Sequence, residues 1–229
     1  MELIERSYGG KIFRPKPEFH IESDGSFGVI ATPWGARQGA KKVIEILTDF
    51  IQSARQDMEA TSPFQKLTSL SPLANNLRVG MMLANDSLYR EDNKNEYNAG
   101  VEVLVFARSQ GELAYAQVGC PHFFLARPGL PWIPLSTQND LAVEWTEGSE
   151  LLPPLPQNLI GLHTTSNMNI SSLKTKPGDR MVFLSHSIVA HPFNSLPADK
   201  TDVDTITNSL SKNHPDLPFW LGILELTES

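Results

Sequence analysis

Between residues 99 and 127, apolar positions recur at every second residue, the period of a β-strand. Val101, Val103, Val105 and Ala107 alternate with Glu102, Leu104, Phe106 and Arg108, which predicts a strand apolar on one face and mostly apolar on the other. Ser109, Gln110 and Gly111 turn it. Leu113, Tyr115 and Gln117, alternating with Ala114, Ala116 and Val118, then run back as its partner. A third strand follows a polar corner, Gly119, Cys120, Pro121 and His122, where glycine permits a sharp bend. A site in this chain is expected to have that corner as one wall.

Upstream, residues 10–12 and 18–21 are expected to be short strands, kept apart by Pro15 and Pro17, which forbid helix. Ser23, Asp24, Gly25 and Ser26 signal a hairpin turn, and 27–31 is a strand ending in a second corner, Thr32, Pro33, Trp34 and Gly35. The period then changes to that of a helix. Ala40, Val43, Ile44, Leu47, Phe50, Ile51 and Ala54 form one stripe, and Lys42, Glu45, Asp49, Gln52 and Arg55 the opposite face. Ser71 can cap a second helix with Pro72 at its tolerated first position, and Leu73, Leu77, Met81, Ala84 and Leu88 give its stripe. Residues 90–98 are polar throughout and are expected to be an exposed loop.

Downstream, Pro128, Gly129 and Pro131 predict a turn and 132–135 a short strand. Pro153, Pro154 and Pro156 exclude helix and read as a rigid surface connection rather than a polyproline ligand. Residues 170–173 form a strand, 176–179 a tight turn, and 180–184 a buried strand leading into Ser185, His186 and Ser187. A short helix at 203–210 and a last strand at 219–226, apolar on both faces, complete the pattern. Neither a repeat nor a linker interrupts it, so one domain of two stacked sheets flanked by helices is expected over 1–229.

Composition narrows the function. With 26 acidic against 19 basic side chains the formal charge is -7, and no basic run exists, so a nucleic-acid partner is not expected. No apolar run approaches the ~20 residues of a membrane helix, and the first residues lack the apolar core of an export signal. The single cysteine cannot form an internal disulfide and fits a cytoplasmic location.

Three strands end in polar corners, at Thr32 and Pro33, at Cys120, Pro121 and His122, and at Ser185 and His186. In that order, with two helices after the first, they resemble the metal-dependent PP2C-type serine/threonine phosphatases. The family's Asp-Gly-x-Gly-Gly turn falls on Thr32, Pro33, Trp34, Gly35 and Ala36. Its Val-Gly-Asp-Ser-Arg and following aromatic strand fall on Val118, Gly119, Cys120, Pro121, His122, Phe123 and Phe124. Its Pro-Gly-Asp-Arg, apolar strand and Ser-Asp-Gly match Pro177, Gly178, Asp179 and Arg180, then Ser185, His186 and Ser187. The resemblance covers nearly the whole chain. It implies a bacterial-type, single PP2C-like domain of α+β class, a four-layer αββα sandwich of two antiparallel sheets flanked by helices.

The chemistry implied by the resemblance departs from the family's. Its enzymes hold two Mg2+ or Mn2+ ions on carboxylates from these corners. The metal-ligand aspartates here become Thr32, Cys120, His186 and Leu217, and Pro33 replaces a glycine whose carbonyl also helps bind metal. The family's Arg-x-x-Asn-Glu-Asp falls on 13–18, leaving Glu18 as a carboxylate and Arg14 one place from the phosphate-binding arginine. Asp216 stands one place from the lost Asp-Asn pair. Two adjacent divalent cations need several anionic oxygens, so Mg2+ or Mn2+ binding is expected to be lost and no catalytic residue is expected.

Two rival chemistries use the same corners. Cys120, His122, His186 and His191 could meet a Zn2+ ion with Glu18, yet no close-spaced ligand pair exists, so zinc is not expected. Cys120 with His186 could form a nucleophile pair, although a lone cysteine beside a proline is more often core filler. Trp34 either plugs the vacated cleft or offers an aromatic contact, and His122 joins it there. Asp179 and Arg180 are read as fixing their turn. The expected function is an inactive PP2C-like regulatory module that binds a protein partner or a phosphate-containing ligand. The alternatives are an atypical phosphatase using Glu18 and Asp216, or a hydrolase dependent on Cys120.

Overall fold

The computed structural model of the chain describes residues 3–56, 64–137, 140–145, 152–185, 197 and 202–226, with the backbone alone at 143 and 144. In chain order the elements begin with strands β1 (Leu3–Tyr8), β2 (Glu18–Ile21) and β3 (Phe27–Gly35), then helices α1 (Arg37–Gln56) and α2 (Pro72–Ser87). Strands β4 (Ala99–Ser109), β5 (Glu112–Val118), β6 (His122–Ala126) and β7 (Ile133–Pro134) follow, with the short helix α3 (Leu141–Trp145). Last come β8 (Asn169–Lys174), β9 (Arg180–Ser185), helix α4 (Val203–Asn213) and β10 (Phe219–Glu225). They divide between two units, each built on one antiparallel five-stranded sheet.

The sheet of the first unit runs β2-β3-β4-β5-β8. The alternation at 99–118 becomes the β4–β5 hairpin. Gln110 (φ 48°) and Gly111 (φ 76°) are both left-handed, the turn geometry that matches the twist of paired strands. Val29, Ala31, Val103, Val105, Ala114 and Ala116 project to one face. There they meet Val43 and Leu47 of α1 and Leu77, Met81 and Ala84 of α2, the stripes expected from the 3.6-residue period. Each such side chain withdrawn from water is worth about 1.5–3 kcal/mol if it is the size of Val or Leu, which is what seats the helices. Ser71 caps α2 as expected, its Oγ accepting from the Ala74 N–H at 3.1 Å, with Pro72 in the first turn.

The sheet of the second unit runs β1-β10-β9-β6-β7. Phe124, Val182, Leu184, Leu221 and Ile223 cover one face and pack on Ile206 and Leu210 of α4. Asp202 caps that helix. Its carboxylate accepts the Thr205 N–H at 2.8 Å, which holds its pKa below the ordinary aspartate value.

Several expectations need correction. Residues 10–12 are not a strand: the Lys11 and Ile12 N–H groups donate to the Asp216 carbonyl at 2.8 and 3.1 Å. The strand is β1, a mostly exposed edge whose pairing to β10 is long-range and leaves no clear apolar period. Thr32 and Pro33 are not a corner, because β3 continues to Gly35 with Pro33 opposite Val101. A central strand tolerates this proline for a specific reason. Val101 directs both its N–H and its C=O to Ile160, so it exchanges no hydrogen bond with Pro33, and the missing N–H is not needed there. Residues 90–98 are not wholly an exposed loop. Leu88–Asp92 form a π-helical turn, and Asn93 behind it is buried. Asn93 Nδ2 donates to the Ala99 and Gly161 carbonyls at 2.7 and 2.8 Å, and its Oδ1 accepts from the Asn98 and Ala99 N–H groups.

Candidate functional site

The site expected from the corners is read within each unit in turn. In the unit carrying β3, Thr32 (2% exposed) and Trp34 share the sheet face away from α1 and α2, since Ala31 and Val29 point toward the helices. Glu18 lies opposite Ala31 and therefore on the helix-bearing face. Thr32 and Glu18 thus emerge on opposite sides of one sheet. The Glu18 carboxylate is engaged by Arg37 at the start of α1. Pro33 is buried beside them within the strand. The Trp34 indole N–H is buried with no hydrogen-bond acceptor among the described residues.

Directly across from Thr32 stands Glu102 of β4, 1% exposed, with Gln117 (2% exposed) on the same face two strands over. Sequence reasoning missed both as site residues. The signal was there in an acid within a strand otherwise nearly all apolar, but alternation alone assigned it to a face and not to an environment. Gly119 lies against Glu102: a Cβ there would come within 2.6 Å of Glu102 Cγ, and φ is +94°. The glycine of the corner therefore serves both the bend and the close passage past a buried acid.

In the other unit, Arg14 donates through Nε to the Ser185 hydroxyl at 2.7 Å, at the end of β9. With Lys16, Ser7 and the rings of Tyr8 and Trp220 it borders a small cavity of about 240 Å³. Cys120 is 1% exposed. His122, equally buried, stacks on Phe124 with ring centroids 6.3 Å apart and planes at 6°, on the face that packs against α4. Leu217 is 1% exposed. Asp216 pairs with Lys11 at 2.8 Å, and that contact raises the lysine pKa through the hydrogen bond first and the charge second. His186 and His191 lie outside the described residues.

Asp179 is fully buried and holds the turn, as expected, with Arg127 as its guanidinium partner. Arg127 grips it with Nε on Oδ1 and Nη2 on Oδ2, both at 2.8 Å, while the Lys176 N–H donates to Oδ2.

Glu18 and Asp216, each within its own unit, are paired with a cation of the chain, and Thr32 and Leu217 carry no charge. Among the described residues no three His, Cys, Asp or Glu side chains converge as a metal requires. No helix there is long and apolar enough to cross a membrane.

No family model matches the sequence, and no curated protein matches it. The structure does have counterparts. It is similar to the PPM Ser-Thr phosphatase MsPP from Mycobacterium smegmatis, solved with cacodylate, at TM-score 0.66 and 14% identity over 99% of both chains. It is similar to PppA, described as a key regulatory component of T6SS in Pseudomonas aeruginosa, at TM-score 0.64 and 14% identity over 98% of this chain and 97% of that one. It is also similar to the catalytic domain of the serine/threonine phosphatase PstP, solved with two manganese ions, at TM-score 0.59 and 13% identity over 99% and 98%. Over its whole length, then, this chain has the fold of the PPM, or PP2C-type, serine/threonine phosphatases.

Proposed function

We propose that the chain acts as one PP2C-like domain over residues 1–229, catalytically inactive, that serves as a regulatory module by binding a protein partner or a phosphate-containing ligand. The observation that carries this reading is the fate of the carboxylates. Where the resemblance expects metal-ligating aspartates stand Thr32, Cys120, His186 and Leu217, and the two remaining acids are paired with Arg37 and Lys11. In that family hydroxide generation and clamping of a phosphoryl group both depend on the two ions, so without them the activated nucleophile and the Lewis-acid stabilisation of the phosphoryl oxygens would both be lacking.

Binding is a smaller demand than catalysis. Arg14, Lys16 and the Ser185 and Ser7 hydroxyls around the 240 Å³ cavity offer cationic and neutral donors suited to a phosphate. The buried Trp34 N–H offers a further donor to a ligand on the face of Thr32. That PppA, of the same fold, is described as a regulatory component is consistent with a regulatory role here. Burial of Cys120 at 1% exposure counts against a thiol-dependent hydrolase, whose nucleophile must meet its substrate.

The test is hydrolysis of p-nitrophenyl phosphate and of a phosphoserine peptide by the full chain in Mn2+, against its Glu18→Ala variant. The expected result is no turnover above that variant. Manganese-dependent turnover that the variant lacks would overturn the proposal and favour the atypical phosphatase.

A further inference from the structure

Among the described residues β8 is the outermost strand of its sheet, with β5 as its one neighbour. Its sequence, Asn169–Lys174, carries neither proline nor glycine and has one charge, at its last residue. It therefore lacks most of the devices that blunt an exposed edge. Ile170 and Ser172 lie opposite Ala116 and Ala114, so they face the side on which α2 packs.

On that side, at the start of β8 and bounded by α2 and residues 64–70 and 164–168, lies a cavity of about 550 Å³, within the size range of ligand-binding clefts. Its lining is mixed: Leu70, Met82, Met168 and Ile170 supply apolar surface, Asn85 and residues 164–167 polar surface, and Arg78 and Asp86 stand on its α2 wall. The eight-residue step from Arg78 to Asp86 puts their backbone positions roughly 12 Å apart along the helix. Asp86 is held by Arg90 at 2.6 Å. Arg78 donates to the Gln65 carbonyl at 3.0 Å and has no carboxylate within ion-pair distance among the described residues. Among the described residues the groove thus presents one guanidinium without a carboxylate partner beside apolar side chains, in a chain whose net charge is -7.

We propose that this groove receives an extended peptide segment of a partner protein, added as a strand beside β8. Strand addition draws affinity from main-chain hydrogen bonds and selectivity from pockets that take alternate side chains. A strand beside β8 turns every second side chain toward α2, into the cavity. Charge and lining specify those side chains: apolar residues over Met82 and Ile170, and an acidic one reaching Arg78. The inference does not rest on the loss of the metal site, since the groove lies wholly within the unit carrying β8, and it stands or falls separately.

The probe is the fluorescein-labelled peptide acetyl-Ser-Val-Thr-Leu-Thr-Glu-Ser-amide, titrated with the full chain by fluorescence anisotropy. Saturable binding is expected. Arg78→Glu should weaken it by about tenfold or more, as loss of a charge-assisted contact does, and should transfer the preference to the peptide with Lys in place of Glu. Arg78→Gln, which keeps the size and removes the charge, should fall between. N-methylation of alternate backbone nitrogens in the peptide should abolish binding. Absence of saturable binding up to about 1 mM protein, the weak end of specific recognition, would overturn the proposal. So would binding indifferent to the Arg78 charge or to N-methylation.

Discussion

Asp179 shows how much of this fold rests on single polar residues. Its carboxylate is fully buried, and the Arg127 guanidinium that grips it is 16% exposed, with a pKa raised chiefly by that hydrogen bond. Neither charge is replaceable alone. Asp179→Ala should destabilise the chain by about 3–5 kcal/mol, because it strands a mostly buried guanidinium and frees the Lys176 N–H. Urea unfolding measures this as a fall in midpoint at constant slope. A change below about 1 kcal/mol would mean that Arg127 finds water instead. The sequence marked Asp179 as a turn residue but could not name Arg127, 52 positions away, because a strand sequence does not disclose which turn lies beside it once folded. Glu102 and Asn93 were obscured for the same reason. Their burial is decided by elements distant in the chain, while their local sequence reads as alternation and as loop.

Elements were legible where local physics decides them. Both long helices follow from an apolar stripe, and α2 begins where Ser71 and Pro72 require. Ser71→Ala should cost about 1 kcal/mol, the usual worth of such a cap, with a further loss from its bond to Glu112 Oε1 at 2.5 Å. Thermal unfolding reads the change, and no shift in midpoint would show that another group takes over the Ala74 N–H. Strands were legible where they are central and apolar, as in β4, β5, β9 and β10. They were missed where long-range pairing overrides local preference. β1 is fixed by its register with β10 rather than by its own pattern, and β3 passes through Pro33 because Val101 turns its hydrogen bonds to Ile160.

For the molecule as a whole, the turns at Gly119 and at 177–179 were recognisable because glycine, proline and a capping acid are demanded by backbone geometry, whereas the corner expected at Thr32 is continuous strand. The chain has two five-stranded antiparallel sheets, and the fold is shared with PPM-type phosphatases at 11–14% identity. The partners of Glu18 and Asp216 were not recognisable, since ion pairs to Arg37 and Lys11 depend on which side of a strand or loop each acid leaves. Those pairings bear most directly on the central claim, that a phosphatase scaffold persists here without the acids to hold its cations. Isothermal titration calorimetry of Mn2+ into the metal-stripped full chain at neutral pH tests it most directly. The account predicts no saturable heat up to about 1 mM Mn2+, weaker than any useful resident site. Saturation at two ions per chain, at lower concentration, would contradict it.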